Sequence, residues 1–87
     1  MQSLTNSEFH GEKPKTSLDL IGLMCPEPVY RTRMQIDKMV AGEMLEVFAD
    51  DPAADDDIRS WIRKSGNQLI LSEKRWNTLR FLIRKVK

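Results

Sequence analysis

Residues 17–29 read SLDLIGLMCPEPV. Residues 17–21 alternate polar and apolar side chains, the period of two expected of a half-buried strand, and Gly22 stops the run. From Pro26 the pattern changes. Pro26 and Pro28 lack backbone N–H groups, which suits the first turn of a helix, where those groups have no intrahelical acceptor, and suits a helix interior poorly. A strand, a tight turn at Gly22 and a helix start are therefore written into one short stretch, with Cys25, the chain's single cysteine, between them.

Outward from that stretch, Val29, Thr32, Ile36, Met39 and Val40 recur at three- and four-residue spacing, which predicts a helix from Pro26 that Gly42 ends. Residues 43–49 (EMLEVFA) predict a strand with Leu45, Val47 and Ala49 on one face. Asp50-Asp51-Pro52 opens a second helix with the stripe Ala54, Ile58, Trp61 and Ile62, closing near Ser65-Gly66. Residues 68–72 and 79–86 read as strands joined through residues 73–77 as a hairpin connection. Residues 1–16 are polar, carry Gly11 and Pro14 without periodicity, and read as a flexible tail before a domain over residues 17–87. His10, the only histidine, falls in that tail.

The order β-α-β-α-β-β, with one apolar stripe per helix, predicts an α/β (α+β) two-layer sandwich: a four-stranded mixed sheet with both helices on one face. Two strand-helix-strand crossovers imply parallel neighbours with right-handed connections. The 87 residues allow one core and no second domain. Hydrophobic residues make up 40% and charged residues 31%, which fits a folded chain rather than a disordered one. A net charge of +1 gives no global field towards nucleic acid or membrane, so direct nucleic-acid binding is not expected. No run approaches the roughly 18 apolar residues of a membrane span, and the N-terminus lacks a secretory core. A lone thiol persists most easily in a reducing compartment, so a cytoplasmic protein is expected.

A cysteine without context is by default a buried small hydrophobe. The Gly-x-x-Cys-Pro-x-Pro setting argues instead for a presented thiol. A helix N-terminus favours thiolate, while the prolines remove donors and Glu27 adds negative charge, so a modestly lowered pKa is expected. Hydrolytic catalysis lacks a histidine base, dithiol chemistry lacks a CxxC partner, and a zinc or EF-hand site lacks its ligands, so no metal is expected. What remains is a thiol that accepts a group from one protein and gives it to another.

These residues resemble the TusA, or SirA-like, sulfur-carrier family. The likeness runs from Leu18 to Lys85 through LDLIGLMCPEPV, GEMLEVFADDPAADDDI and FLIRK. It implies the same sandwich, with Cys25 as the persulfide-bearing cysteine supported by Gly22, Pro26, Glu27 and Pro28. It also implies a partnership with a cysteine desulfurase or other sulfurtransferase as donor and a cysteine-bearing acceptor protein. The outcome would be tRNA 2-thiouridine synthesis or another sulfur transfer. The chain would then be a carrier rather than an enzyme, with no cofactor beyond the covalent sulfur, and able to work as a monomer. Met24 stands where some members carry a basic residue, and Asn67 where a histidine often follows the glycine.

Parallel first and second strands put Cys25 and the Asp50-Asp51-Pro52 loop on one rim. A parallel third strand brings Lys74, Arg75 and Trp76 towards the same rim, so an acidic lobe and a basic-aromatic lobe could flank the thiol and dock partners. Asp51-Pro52 with Asp55 equally reads as a plain helix start. Trp61 is expected in the core. On the closing strand Leu79, Phe81 and Ile83 face one way, while Arg80, Leu82 and Arg84 would give a basic exposed face. That face supports the alternative of a non-catalytic regulatory or binding module for RNA or protein.

Overall fold

Leu18 and Leu20 point one way from the first strand while Ser17 and Asp19 point the other, and this alternation sets the sheet's two faces. In the computed structural model, which describes residues 13–87, the elements are β1 (Thr16–Leu20), α1 (Glu27–Asp37), β2 (Met44–Ala49), α2 (Pro52–Ser65), β3 (Gln68–Arg75) and β4 (Thr78–Arg84). The strand order is β1-β2-β4-β3. β1 pairs parallel with β2, and β4 runs antiparallel to both β2 and β3. The sheet is mixed, as the element order predicts.

One face holds the core. Leu20, Leu45, Val47, Ala49, Leu79, Phe81 and Ile83 from the strands meet Ile36, Met39, Ala54, Ile58 and Ile62 from the helix side. Leu45, Val47, Ala49, Phe81 and Ile83 are entirely shielded from solvent. A buried side chain of this size contributes about 1.5–3 kcal/mol, so this single layer supplies the main drive to fold.

Several boundaries differ from the periodicity. β1 begins at Thr16, and the Lys15 N–H donates to the Met44 carbonyl at 2.8 Å, so the sheet takes in residues expected in the tail. Residues 1–12, with His10, lie outside the described residues. α1 ends at Asp37, not Val40. The N–H groups of Lys38 and Met39 bond back to the carbonyls of Gln35 and Ile36, which tightens the last turn. Met39 stays buried while Val40 is 64% exposed.

The second crossover also differs. β3 is parallel to β2 but not beside it, because β4 inserts between them. The β3–β4 hairpin is tighter than expected, with only Trp76 and Asn77 between the strands. On the open sheet face, Arg80, Leu82 and Arg84 do not form a bare basic surface. Leu82 is 1% exposed, and Arg80 reaches Glu46 and Glu73 at 2.8 Å each. Burial works against the Arg80 guanidinium, yet the hydrogen bonds to these two carboxylates outweigh it and hold its pKa above the usual arginine value. Arg84 donates to the Gly42 carbonyl at 2.9 Å.

Candidate functional site

The rim at the C-terminal ends of β1 and β2 is where the chain leaves both strands for a helix. Gly22, at φ +89°, makes the turn out of β1 that a side chain would strain. The turn is then tied to the neighbouring connection by backbone donors. The Gly22 N–H donates to Asp50 Oδ1 at 2.9 Å, and the Cys25 N–H donates to Asp51 Oδ2 at 2.7 Å. Asp51 uses its other oxygen to cap α2 through the Ala53 N–H at 3.2 Å. One carboxylate, only 5% exposed, thus starts a helix and fixes the backbone of the cysteine.

Pro26 does not occupy the first helical position. It is the N-cap of α1, with φ −97° and ψ 13°, and follows Cys25 through a cis peptide bond. Glu27 opens the helix and pairs with Arg31 at 3.0 Å, while Pro28 is buried in the first turn. Without a side-chain cap and with a proline ring in place of one donor, this N-terminus offers sulfur few N–H groups.

Cys25 is exposed, so the buried-hydrophobe default does not hold for it. Its Sγ donates to Asp57 Oδ2 at 3.2 Å. The thiol pKa is therefore raised above its ordinary 9.0 rather than lowered. The Asp57 hydrogen bond is the main cause, followed by partial desolvation and the negative fields of Asp57 and Asp51. Helix polarity alone suggested the opposite sign. Asp57, six residues after the N-cap Asp51, belongs to neither the cysteine turn nor the helix start that mark this rim in the sequence. A signal was present: Asp57 lies three residues after Ala54 and four before Trp61, on the shoulder of the apolar stripe rather than on its solvent side.

The remaining candidates divide between two faces. Lys74 shares a depression with Asp50, Pro52, Asp55 and Leu79. Arg75 and Trp76 instead line a groove of the open sheet face with Phe48, Glu73, Thr78 and Arg80. All three lie at the same end of the molecule as Cys25, but β3 is three strand spacings from β1, about 14 Å. The acidic residues therefore touch the thiol loop, while the basic-aromatic residues stand off from it. Trp76 is 90% exposed and sits at φ +58°, so no internal packing accounts for it. Trp61 is half-buried rather than central, and lines a groove with Pro26, Glu27, Val29, Tyr30 and Arg33. Asn67 lies at the opposite end, where its Oδ1 accepts the N–H groups of Val86 and Lys87.

Comparison with known proteins bears on the fold and the family. A SirA-like protein of Desulfitobacterium hafniense, known from a crystal structure, superposes with a TM-score of 0.72 over 83% of this chain and 99% of that one. At 22% identity it speaks for the fold alone. A protein of Archaeoglobus fulgidus, named provisionally as a sulfur carrier protein, is 45% identical over 71 residues, covering 80% of this chain and 92% of the relative. The family pattern described as sulfurtransferase TusA matches residues 16–85, from the first residue of β1 to just past β4. With the sheet, the helix pair and the cysteine turn in one continuous match, the chain belongs to the TusA family.

Proposed function

We propose that this protein is a sulfur carrier that takes a sulfane sulfur onto Cys25 as a persulfide and passes it to a cysteine of a second protein. The exposure of Cys25 on a rim tied down by Asp50 and Asp51 carries this reading. A carrier must present one sulfur atom to two partners in turn, and a fixed backbone with an exposed thiol meets that need. Family membership and the likeness to a relative bearing a sulfur-carrier name support it. Donors of the cysteine desulfurase or sulfurtransferase class fit this chemistry, and tRNA 2-thiolation is one destination it could serve. A lone exposed thiol persists most easily where thiols stay reduced, which supports an exchange in the cytoplasm.

The step is thiol exchange. The Cys25 sulfur attacks the outer sulfur of the donor persulfide, an S–S bond to Cys25 forms, the donor's S–S bond breaks, and its cysteine leaves as thiolate. Atoms and oxidation state balance without a cofactor.

The test is intact mass under non-reducing conditions after incubation with a cysteine desulfurase and cysteine. The wild-type chain should gain one sulfur atom, lose it to reductant, and show no gain as Cys25→Ser. Failure to gain sulfur while the thiol alkylates freely would point to a mismatched donor; a thiol resistant to alkylation in the native protein would reject the carrier reading. The competing picture, a binding module using a basic sheet face, is weakened because one of its cations, Arg80, is matched by Glu46 and Glu73.

A further inference from the structure

Asp57 is the one described side chain that holds the reacting atom itself rather than the backbone around it. The other carboxylates of the rim are engaged elsewhere. Asp50 accepts from Gly22, Asp51 from Cys25 and Ala53, and Asp55 pairs with Arg59 at 2.8 Å. Asp57 forms no ion pair among the described residues.

The thiol therefore meets Asp57 and the field of Asp51 from α2 and its cap, while Asp50 of the preceding loop holds the Gly22 N–H of the same turn. On α1, Glu27 pairs with Arg31, and Glu27 and Arg33 line the groove beside Pro26 and Trp61. Its own loop contributes Met24 and Pro26, which are uncharged.

Resting on the reading of Cys25 as the carrier thiol, we propose that Asp57 is a positioning residue that keeps the idle carrier protonated, and that a cationic side chain of the sulfur-exchange partner releases the nucleophile by pairing with Asp57. A carboxylate accepting the S–H bond stabilises thiol and repels thiolate. A lysine or arginine brought beside it by docking reverses both effects at once. The proton lost by Cys25 ends on the departing donor thiolate. The net change is Cys25–SH plus donor–S–SH giving Cys25–S–SH plus donor–SH, with no oxidant consumed.

Such a device slows, without blocking, the reaction of the thiol with neutral and anionic small molecules near neutral pH, while leaving it available to a partner with a basic rim around its cysteine. It also defines the partner by chemistry: positive charge within a few ångströms of the exchanging sulfur.

Two readouts on the full chain test this without a partner. The first is the rate of exchange with cystamine, a dicationic disulfide, against 3,3′-dithiodipropionate, a dianionic one. The wild type should prefer cystamine by about fivefold or more, from attraction between unit charges a few ångströms apart near solvent. Asp57→Asn keeps an acceptor for the thiol but removes the charge, and should cut that preference at least about threefold. Asp56→Asn, the same charge change on an exposed neighbour, should keep the wild-type preference. The second readout is alkylation by neutral iodoacetamide across pH, whose midpoint should move to lower pH in Asp57→Asn and stay in place in Asp56→Asn.

An Asp57→Asn protein that retains native circular dichroism and matches the wild type in both readouts overturns the proposal. Equal shifts in the two variants overturn it as well, since general surface charge would then suffice. Sulfur uptake from a desulfurase is scored separately. A moved midpoint supports the role of Asp57 whether or not the chosen donor loads Cys25, and uptake with an unmoved midpoint rejects only the role of Asp57.

Discussion

Asp51 spends its two oxygens on two different segments, the Cys25 N–H at 2.7 Å and the Ala53 N–H at 3.2 Å. Hydrogen bonds to a charged group contribute about 1.5–3 kcal/mol each, and loss of a helix cap alone costs about 1 kcal/mol. Asp51→Ala should therefore destabilise the fold by about 2–4 kcal/mol in urea melts and loosen the cysteine turn. A loss below about 0.5 kcal/mol would show that the turn is held by other contacts. At this scale the sequence disclosed the cap, because an aspartate before a proline at a helix start is a local signal. It did not disclose the second bond, made across 26 residues. The Cys25–Asp57 bond spans 32 residues and was hidden for the same reason. The linkage sign follows from the raised thiol pKa. This bond contributes to stability below about pH 9 and is lost as pH rises through the folded-state value.

At the scale of elements, α2 was legible end to end. Asp51 caps it, Pro52 opens it, Asp55 and then Arg63 and Lys64 complement its dipole, and Gly66 at φ +81° closes it. α1 was less so. Its start is plain from the prolines, but Met39 continues the apolar spacing beyond the helix end, since a turn can bury a residue as well as a helix can. The hairpin presents a different case. Trp76 occupies a left-handed position that glycine or asparagine would adopt more easily, and its ring is exposed. Trp76→Gly should leave stability unchanged or raise it by up to about 1 kcal/mol, as relief of strain offsets the freer unfolded chain. The same variant should slow sulfur uptake from a partner if Trp76 anchors docking. A stability loss above about 1 kcal/mol would mean that the ring packs internally after all.

Across the whole molecule, Arg80 links three strands, bridging Glu46 of β2 and Glu73 of β3 from β4 between them. Glu46 also accepts from Ser17 of β1 at 3.0 Å, so the open face carries a polar chain across all four strands. Arg80→Ala should cost about 1–2 kcal/mol by leaving the half-buried Glu46 carboxylate with only the Ser17 hydroxyl. Equilibrium urea unfolding reads this, and an unchanged midpoint would mean that solvent replaces the guanidinium at no cost. The sequence alone determined the six elements, the apolar layer and a cysteine presented at a strand-to-helix turn, because side-chain period, prolines and caps act within a few residues. Only the tertiary structure decided that β4 separates β2 from β3, that Arg80 is neutralised, and that Asp57 reaches the thiol and raises its pKa. Strand order and side-chain pairing depend on which distant surfaces bury best together. A thiol's protonation depends on charges within a few ångströms in space, whichever part of the chain supplies them.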